Sequence, residues 1–202
     1  MTPAASNPVN ADGEPIPVPL LVQKARSGDE AAFGELMQAY YPRVYGMLLG
    51  MVRNPDDARD LSQQVWVKVW KKLDTFKGDA DFYTWLYRVA HFSALDAIRK
   101  QKRRREVDLL DALEPNRDAD VAVPPSLTSR PDDQARATEI DVAFQTALEQ
   151  LSPEHRTALM LREVEGLSYD EIARITKSRR GTIMSRIFYA RKSMQQLLKE
   201  YR

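Results

Sequence analysis

Two clusters of cations define the chemistry open to this sequence, which is binding to a polyanion. Residues 172–199 contain no Asp or Glu, yet they include Arg174, Lys177, Arg179, Arg180, Arg186, Arg191 and Lys192. A helical surface charged in this way neutralises phosphates and releases their counterions, the main source of affinity for DNA. The second cluster is RKQKRRR at 99–105, with Arg99, Lys100, Arg103 and Arg104. It follows Arg88 and a run of aromatics, Phe76, Phe82, Tyr83, Trp85, Tyr87 and Phe92. Aromatic faces stack on unpaired bases while cations track the strand, so this pairing suits single-stranded nucleic acid. At helical spacing Phe82 and Trp85 also read as core residues, which leaves Tyr83, Tyr87 and Phe92 as those expected to be exposed.

A third group lies on one predicted helix over 56–73. Leu61, Val65, Trp66, Val67, Val69 and Trp70 are more apolar residues than one buried face requires. Surplus tryptophan beside Asp60, Gln63 and Gln64 predicts a protein-binding surface. A helix buried on two sides would give the same pattern.

Catalysis finds little support. There are no cysteines, and the histidines are His91 and His155 alone, so neither a thiol nucleophile nor a Cys/His metal site is expected. Asp56, Asp57 and Asp60 could be read as ligands of a metal-dependent nuclease. Acids at the start of a helix are better explained by the helix dipole, and no set of nucleophile, base and oxyanion donors accompanies them. The expectation is a protein that is not an enzyme and that uses no metal or cofactor.

Helices must position these residues. From Leu20 apolar positions recur at intervals of three and four, and no segment alternates as a strand would. Leu21 and Ala25 run to Gly28, a predicted C-cap, and Asp29 opens the next helix with Phe33, Leu36, Met37 and Tyr40 on one face. The pattern resumes after Pro42. Asn54-Pro55-Asp56-Asp57 combines a capping side chain, a proline suited to the first turn and acids that complement the dipole. A further helix is expected from about Asp81 to Arg104. The 28 residues 107–134 then break the periodicity, with seven acids, two arginines and four prolines, and read as a linker.

The second block begins near Ala135. Ser152-Pro153-Glu154 starts a helix that Gly166 ends. Ser168 opens a short helix with Glu171 three residues on, a capping box. Another helix begins near Thr182, with Ile183, Ile187, Ala190 and Met194 inward. A short capped helix, a tight turn and a second helix with an apolar seam form a helix-turn-helix, whose second helix enters the major groove. Lys177, Arg179, Arg180, Gly181, Thr182, Ser185, Arg186 and Arg191 are its expected DNA contacts. A solvated hairpin with a basic face would share the charge pattern.

The chain has 202 residues, 43% of them hydrophobic, with 30 Lys+Arg against 29 Asp+Glu. Net charge is therefore uninformative, and it is the local runs that carry meaning. The expected architecture is all-α: a tail at 1–18, a domain at 19–106, a linker at 107–134 and a helix-turn-helix domain at 135–202. No apolar run approaches the roughly 20 residues of a membrane span. The N-terminus has no basic segment followed by an apolar stretch, so it does not read as a secretory signal. A soluble, cytoplasmic protein is expected.

Taken in order, the motifs AxxGDxxAFxxL (25–36), NPDDARDLSQQVW (54–66), FKGDADFYTWLYRVA (76–90), LSPEHRTALMLREVEGLSYDEIA (151–173) and GTIMSRIFYAR (181–191) resemble the extracytoplasmic-function group of bacterial sigma factors. The resemblance covers roughly 20–198. It implies that Asp60, Leu61, Gln63, Gln64 and Trp66 contact core RNA polymerase. It implies that Tyr83, Trp85, Tyr87, Arg88, Phe92, Arg99, Lys100, Arg103 and Arg104 serve the minus-ten element as its strands part. It implies that the second domain reads the minus-thirty-five element as duplex, and that an anti-sigma partner regulates the chain. This sequence departs from the family pattern at Phe92, where Asn is frequent, and at Thr176, Lys177 and Arg179, where Leu-Gly and Pro are usual. The competing reading is a stand-alone helix-turn-helix regulator that binds a palindrome as a dimer. A single helix-turn-helix and no evident dimer seam count against it.

Overall fold

The computed structural model describes residues 15–78, 80–112, 143–144, 146–148 and 150–199. The expected N-terminal tail up to residue 14, and residues 113–134 of the expected linker, lie outside the described residues.

Capping chemistry sets the helix boundaries. Helix α1 (Val18–Arg26) carries proline in its first turn and Lys24 and Arg26 in its last. Gly28 follows at φ 93°, a left-handed conformation that suits glycine. Asp29 then caps α2 (Glu30–Val52), its Oδ1 accepting from the Ala32 N–H at 3.0 Å. The sequence pattern pauses at Pro42, but α2 runs through it. Tyr40 and Val44, both buried, flank the proline and hold the helix together by packing. Asn54 Oδ1 accepts from the N–H groups of Asp56 and Asp57, both at 2.9 Å, and starts α3 (Pro55–Lys72). Asp56 and Asp57 in its first turn and Lys71 and Lys72 in its last complement the macrodipole. A 3-10 turn (Leu73–Thr75) leads on to α4 (Phe82–Ala112).

Helix α4 extends further than the sequence pattern suggests, into the range expected to be linker. Residues 105–112 contain no proline or glycine, and the first proline after the basic run is Pro115. Ordinary helix formers therefore prolong an established helix at little cost.

In the second half, Ser152 caps α5 (Pro153–Glu163). Gly166, at φ 68°, turns the chain. Ser168 and Glu171 form the expected capping box of α6 (Tyr169–Thr176), with the Ser168 N–H donating to Glu171 Oε2 at 2.7 Å. Helix α7 (Arg180–Leu197) begins two residues before the expected start.

One core runs through both halves. Leu36, Leu48, Leu61, Val65, Leu86 and Ala90 belong to the same buried cluster as Leu161, Leu167, Ile172, Ile175, Ile183 and Ile187. A smaller cluster, which includes Leu148, Leu151, Leu159 and Met194, closes the far side of the second half. Helix α2 packs on α5, and α4 packs on α6. Gly50 permits the first contact: a Cβ placed on it would lie 3.0 Å from Met160 Cε. Among the described residues no helix is long and apolar enough to cross a membrane.

Candidate nucleic-acid interface

Helix α7 meets the second half through Ile183, Ile187, Ala190 and Met194, all buried. Its outer face carries the expected cations. Arg179, Arg180, Gly181 and Ser185 are exposed, and Thr182 and Arg186 are half-buried at its base. Arg186 Nη1 donates to Ser178 Oγ at 3.1 Å, tying α7 to the turn. Ser185 Oγ donates back to Gly181 O and Thr182 O. Arg180 lies 3.7 Å from Asp170, an exposed ion pair that solvent screens. Arg191 is held elsewhere: its Nε and Nη2 donate to Glu163 Oε1 at 2.9 and 2.6 Å, clasping α7 to α5.

Three further residues, not expected from the charge pattern, stand on this face. Met184, Phe188 and Tyr189 are exposed, Phe188 at 61%. They interrupt the cationic surface with apolar contacts of the kind that meet a thymine methyl in the major groove. The signal was in the sequence, since these apolar residues fall off the Ile183–Ile187–Ala190 seam and a helix with one buried face has no use for them there.

The turn before α7 is built from Lys177 in the left-handed region, φ 51°. The backbone N–H groups of Lys177 and Ser178 both donate to Ala173 O, which closes α6. A non-glycine residue here is conformationally costly.

Helix α4 departs from expectation. Tyr83 and Tyr87, expected to be exposed, are buried, Tyr87 completely. Tyr83 OH donates to Glu171 Oε1. Tyr87 OH donates to Glu165 Oε2 at 2.6 Å, and Arg43 Nε donates to the same oxygen at 2.9 Å. Burial, reinforced by Glu165, pushes the Tyr87 phenol well above its usual range, so it stays a donor. Arg88 Nε donates to Arg174 O at 3.2 Å. Phe92 is half-buried with Lys177 Nζ 5.5 Å from its ring centroid. The cause is tertiary: α6 and the turn after it lie across this face of α4, which α4's own sequence cannot reveal. Trp85 is half-buried against Phe76 and Phe82, each within 6 Å between centroids. Arg99, Lys100, Arg103 and Arg104 remain exposed.

On α3 the expected surface divides. Asp60, Gln63 and Gln64 are exposed, but Leu61 and Trp66 are buried, Trp66 at 4%. Trp66 sits edge-on to Phe33 and belongs to the buried cluster. Val67 and Trp70 are the apolar residues that remain outside, at 54% and 36% exposed. Together with Phe33, Met37 and Gln63 they line a depression of about 550 Å³.

Comparison with known proteins agrees with this layout of two basic surfaces on two helical halves. The family model for sigma-70 region 2 matches residues 36–104, and that for sigma-70 region 4 matches residues 141–194. The chain is 34% identical over 185 residues to the RNA polymerase sigma-H factor of Pseudomonas aeruginosa, covering 89% of this chain and 95% of that protein. It is 36% identical over 177 residues to the ECF RNA polymerase sigma-E factor of Escherichia coli K12, covering 87% of this chain and 91% of that one. Among solved structures, the sigma factor RpoE of Bartonella quintana in complex with the anti-sigma factor NepR matches with a TM-score of 0.60 and 28% identity, covering 84% of this chain and 98% of that one. CnrH in complex with the cytosolic domain of CnrY shares the fold, with a TM-score of 0.65 at 22% identity.

The chain belongs to the ECF group of RNA polymerase sigma factors. It is an alternative initiation factor that binds core polymerase and directs it to promoters, and it is not an enzyme. The matches run through both halves and do not favour a stand-alone regulator.

Proposed function

We propose a division of this work among three surfaces, on two units at 19–106 and 135–202. The outward face of α3, with Asp60, Gln63, Gln64, Val67 and Trp70, docks on core polymerase, and Leu61 and Trp66 hold that face rigid from behind. Helix α4 takes the parted minus-ten strand, with Trp85, Arg88 and Phe92 meeting bases, Tyr83 and Tyr87 setting that face from behind, and Arg99, Lys100, Arg103 and Arg104 tracking phosphates. Helix α7 enters the major groove of the minus-thirty-five element through Arg179, Arg180, Gly181, Thr182, Ser185 and Arg186, with Lys177 and Arg191 at its margins. The observation that carries this reading is the outward face of α7, free of acids and exposed from Arg179 to Tyr189.

The factor works in the cytoplasm, where the polymerase is. By analogy with the RpoE and CnrH complexes, whose partners are NepR and CnrY, an anti-sigma protein restrains it.

The test is transcription by core polymerase on fragmented genomic DNA, with the 5′ ends of transcripts mapped. Discrete starts that depend on the protein and share two upstream elements are expected. Arg180→Ala should weaken those starts and lower the salt slope of duplex binding by about one for each phosphate that Arg180 neutralises. Unaltered starts and an unaltered slope would remove Arg180 from the interface.

A further inference from the structure

The depression between α2 and α3 is more than the edge of a docking face. Phe33, Met37 and Tyr41 of α2 and Trp66, Val67 and Trp70 of α3 line it, and Met37 is 39% exposed. Aromatic rings gathered in a hollow with exposed apolar neighbours mark a place where another chain segment docks. Glu30 is the one charged residue of the lining, so a polyanion finds no cation inside. Gln63 and Val67 also border a hollow that includes Lys68 and Lys71, both exposed. The α3 side of the depression therefore opens toward two cations.

A buried donor points to an occupant. The Trp66 indole Nε1 is buried and has no acceptor. An indole N–H can only donate, and a buried one normally finds a partner. A segment that brings a backbone carbonyl into the depression supplies the acceptor that the described residues do not.

The chain itself carries a segment of matching chemistry. Residues 1–14 include Pro3 and Pro8 and lead into Pro15 and Pro17. They contain no Lys or Arg, and their acids, Asp12 and Glu14, complement Lys68 and Lys71. Proline-containing segments dock in aromatic-lined grooves, and their extended form leaves the backbone carbonyls free to accept. Fixed φ at each proline lowers the entropy lost on docking. Reach is sufficient: 14 residues in that extended form span about 43 Å, against about 35 Å for the whole of α2. The segment also starts beside α2, because Ile16 packs on the core and α1 packs along α2.

We propose that the N-terminal segment of this chain, around Pro3 and Pro8, docks in the depression between α2 and α3, with a backbone carbonyl accepting from Trp66 Nε1. Gln63, Val67 and Trp70 belong both to the depression and to the face proposed for core polymerase. The segment therefore competes with polymerase there, a consequence that rests on the reading of α3 given above.

The absence of cysteine permits a direct test on the full chain. Bimane attached at Ala5→Cys is quenched when it touches tryptophan. Its emission in the folded chain should be several-fold lower than after unfolding in urea. Trp70→Phe, which keeps a ring but removes the quencher, should restore most of the emission. Met37→Glu, which places a charge in the depression and keeps the quencher, should restore it as well, as should Pro3→Gly/Pro8→Gly. Full emission in the starting chain would overturn the proposal. So would quenching that survives both Trp70→Phe and Met37→Glu, because the segment would then rest elsewhere. Quenching that vanishes on dilution would overturn it in favour of a second copy as the occupant. Pro3→Gly/Pro8→Gly should also bind core polymerase several-fold more tightly than the starting chain. Relief of quenching with unchanged polymerase affinity would uphold the docked segment and move polymerase off Val67 and Trp70.

Discussion

Arg156 ties the second half to the end of α2, and nothing in its sequence neighbourhood marks it. It reads as one more cation in SPEHRTAL, yet its guanidinium joins three carbonyls in a site closed to water. Replacing it with alanine removes those charged hydrogen bonds, although Leu148 O keeps the Leu151 N–H, and opens a void, which should cost about 3 kcal/mol in chemical denaturation, within the range for breaking buried charged hydrogen bonds. A loss below about 1 kcal/mol would mean that water reaches the site. The tryptophans of α3 make the complementary case. The sequence places Trp66 and Trp70 on one helix but cannot say which is covered, because both touch Phe33 of α2 and only Trp66 enters the buried cluster. Trp66→Ala should lower stability by about 3–4 kcal/mol. Trp70→Ala should leave the fold intact and weaken capture of core polymerase in a pull-down. A folded Trp70→Ala chain that binds normally would move the docking surface elsewhere. Phe188 and Met184 belong at this scale as well. Replacing thymine by deoxyuridine in a mapped minus-thirty-five element removes only a methyl, and a contact with either residue should then appear as weaker binding that Phe188→Ala or Met184→Ala abolishes.

At the scale of elements, the caps were the most legible part of the molecule. Gly28, Asp29, Asn54, Ser152, Gly166 and the Ser168–Glu171 box all act within a few residues of chain, so their sequence signatures suffice. Pro42 was less so, since whether a helix survives a proline depends on what packs beside it. The turn between α6 and α7 combines both kinds of information. Lys177 holds a left-handed φ of 51° that glycine would adopt without strain. Lys177→Gly should raise stability by up to about 1 kcal/mol in urea denaturation. It also removes the cation beside Phe92, so it should loosen α4 from α6. A chain that is destabilised instead would show that the contact with Phe92 outweighs the backbone strain.

Over the whole molecule, two helical halves and their order are legible in the sequence, but the core they share is not. Periodicity shows that a face is apolar without showing which partner covers it, and so Tyr83 and Tyr87 were expected outside. His91 reports on the shared core. It is buried, Arg186 of α7 and Glu154 of α5 act on it electrostatically, and burial lowers its pKa from 6.5 to about 4. The folded chain therefore keeps it neutral while an unfolded chain would take up a proton. Stability should be unaffected by this residue above about pH 6.5 and should fall as pH drops from there toward 4. His91→Leu should flatten that part of the profile. An unchanged profile in the variant would assign the acid sensitivity to other groups.

The fitted contact between Gly50 and Met160 also bears on engineering. Promoter-reading halves invite exchange between relatives, as if each were a cartridge. Here a transplanted half would bring its own surface to a seat shaped for Met160, Glu165 and Arg156, and a chimaera would inherit a mismatched joint along with its new specificity. Retargeting is better confined to the outward positions of α7, at 180–189, where the chain can change what it reads without changing how its halves pack.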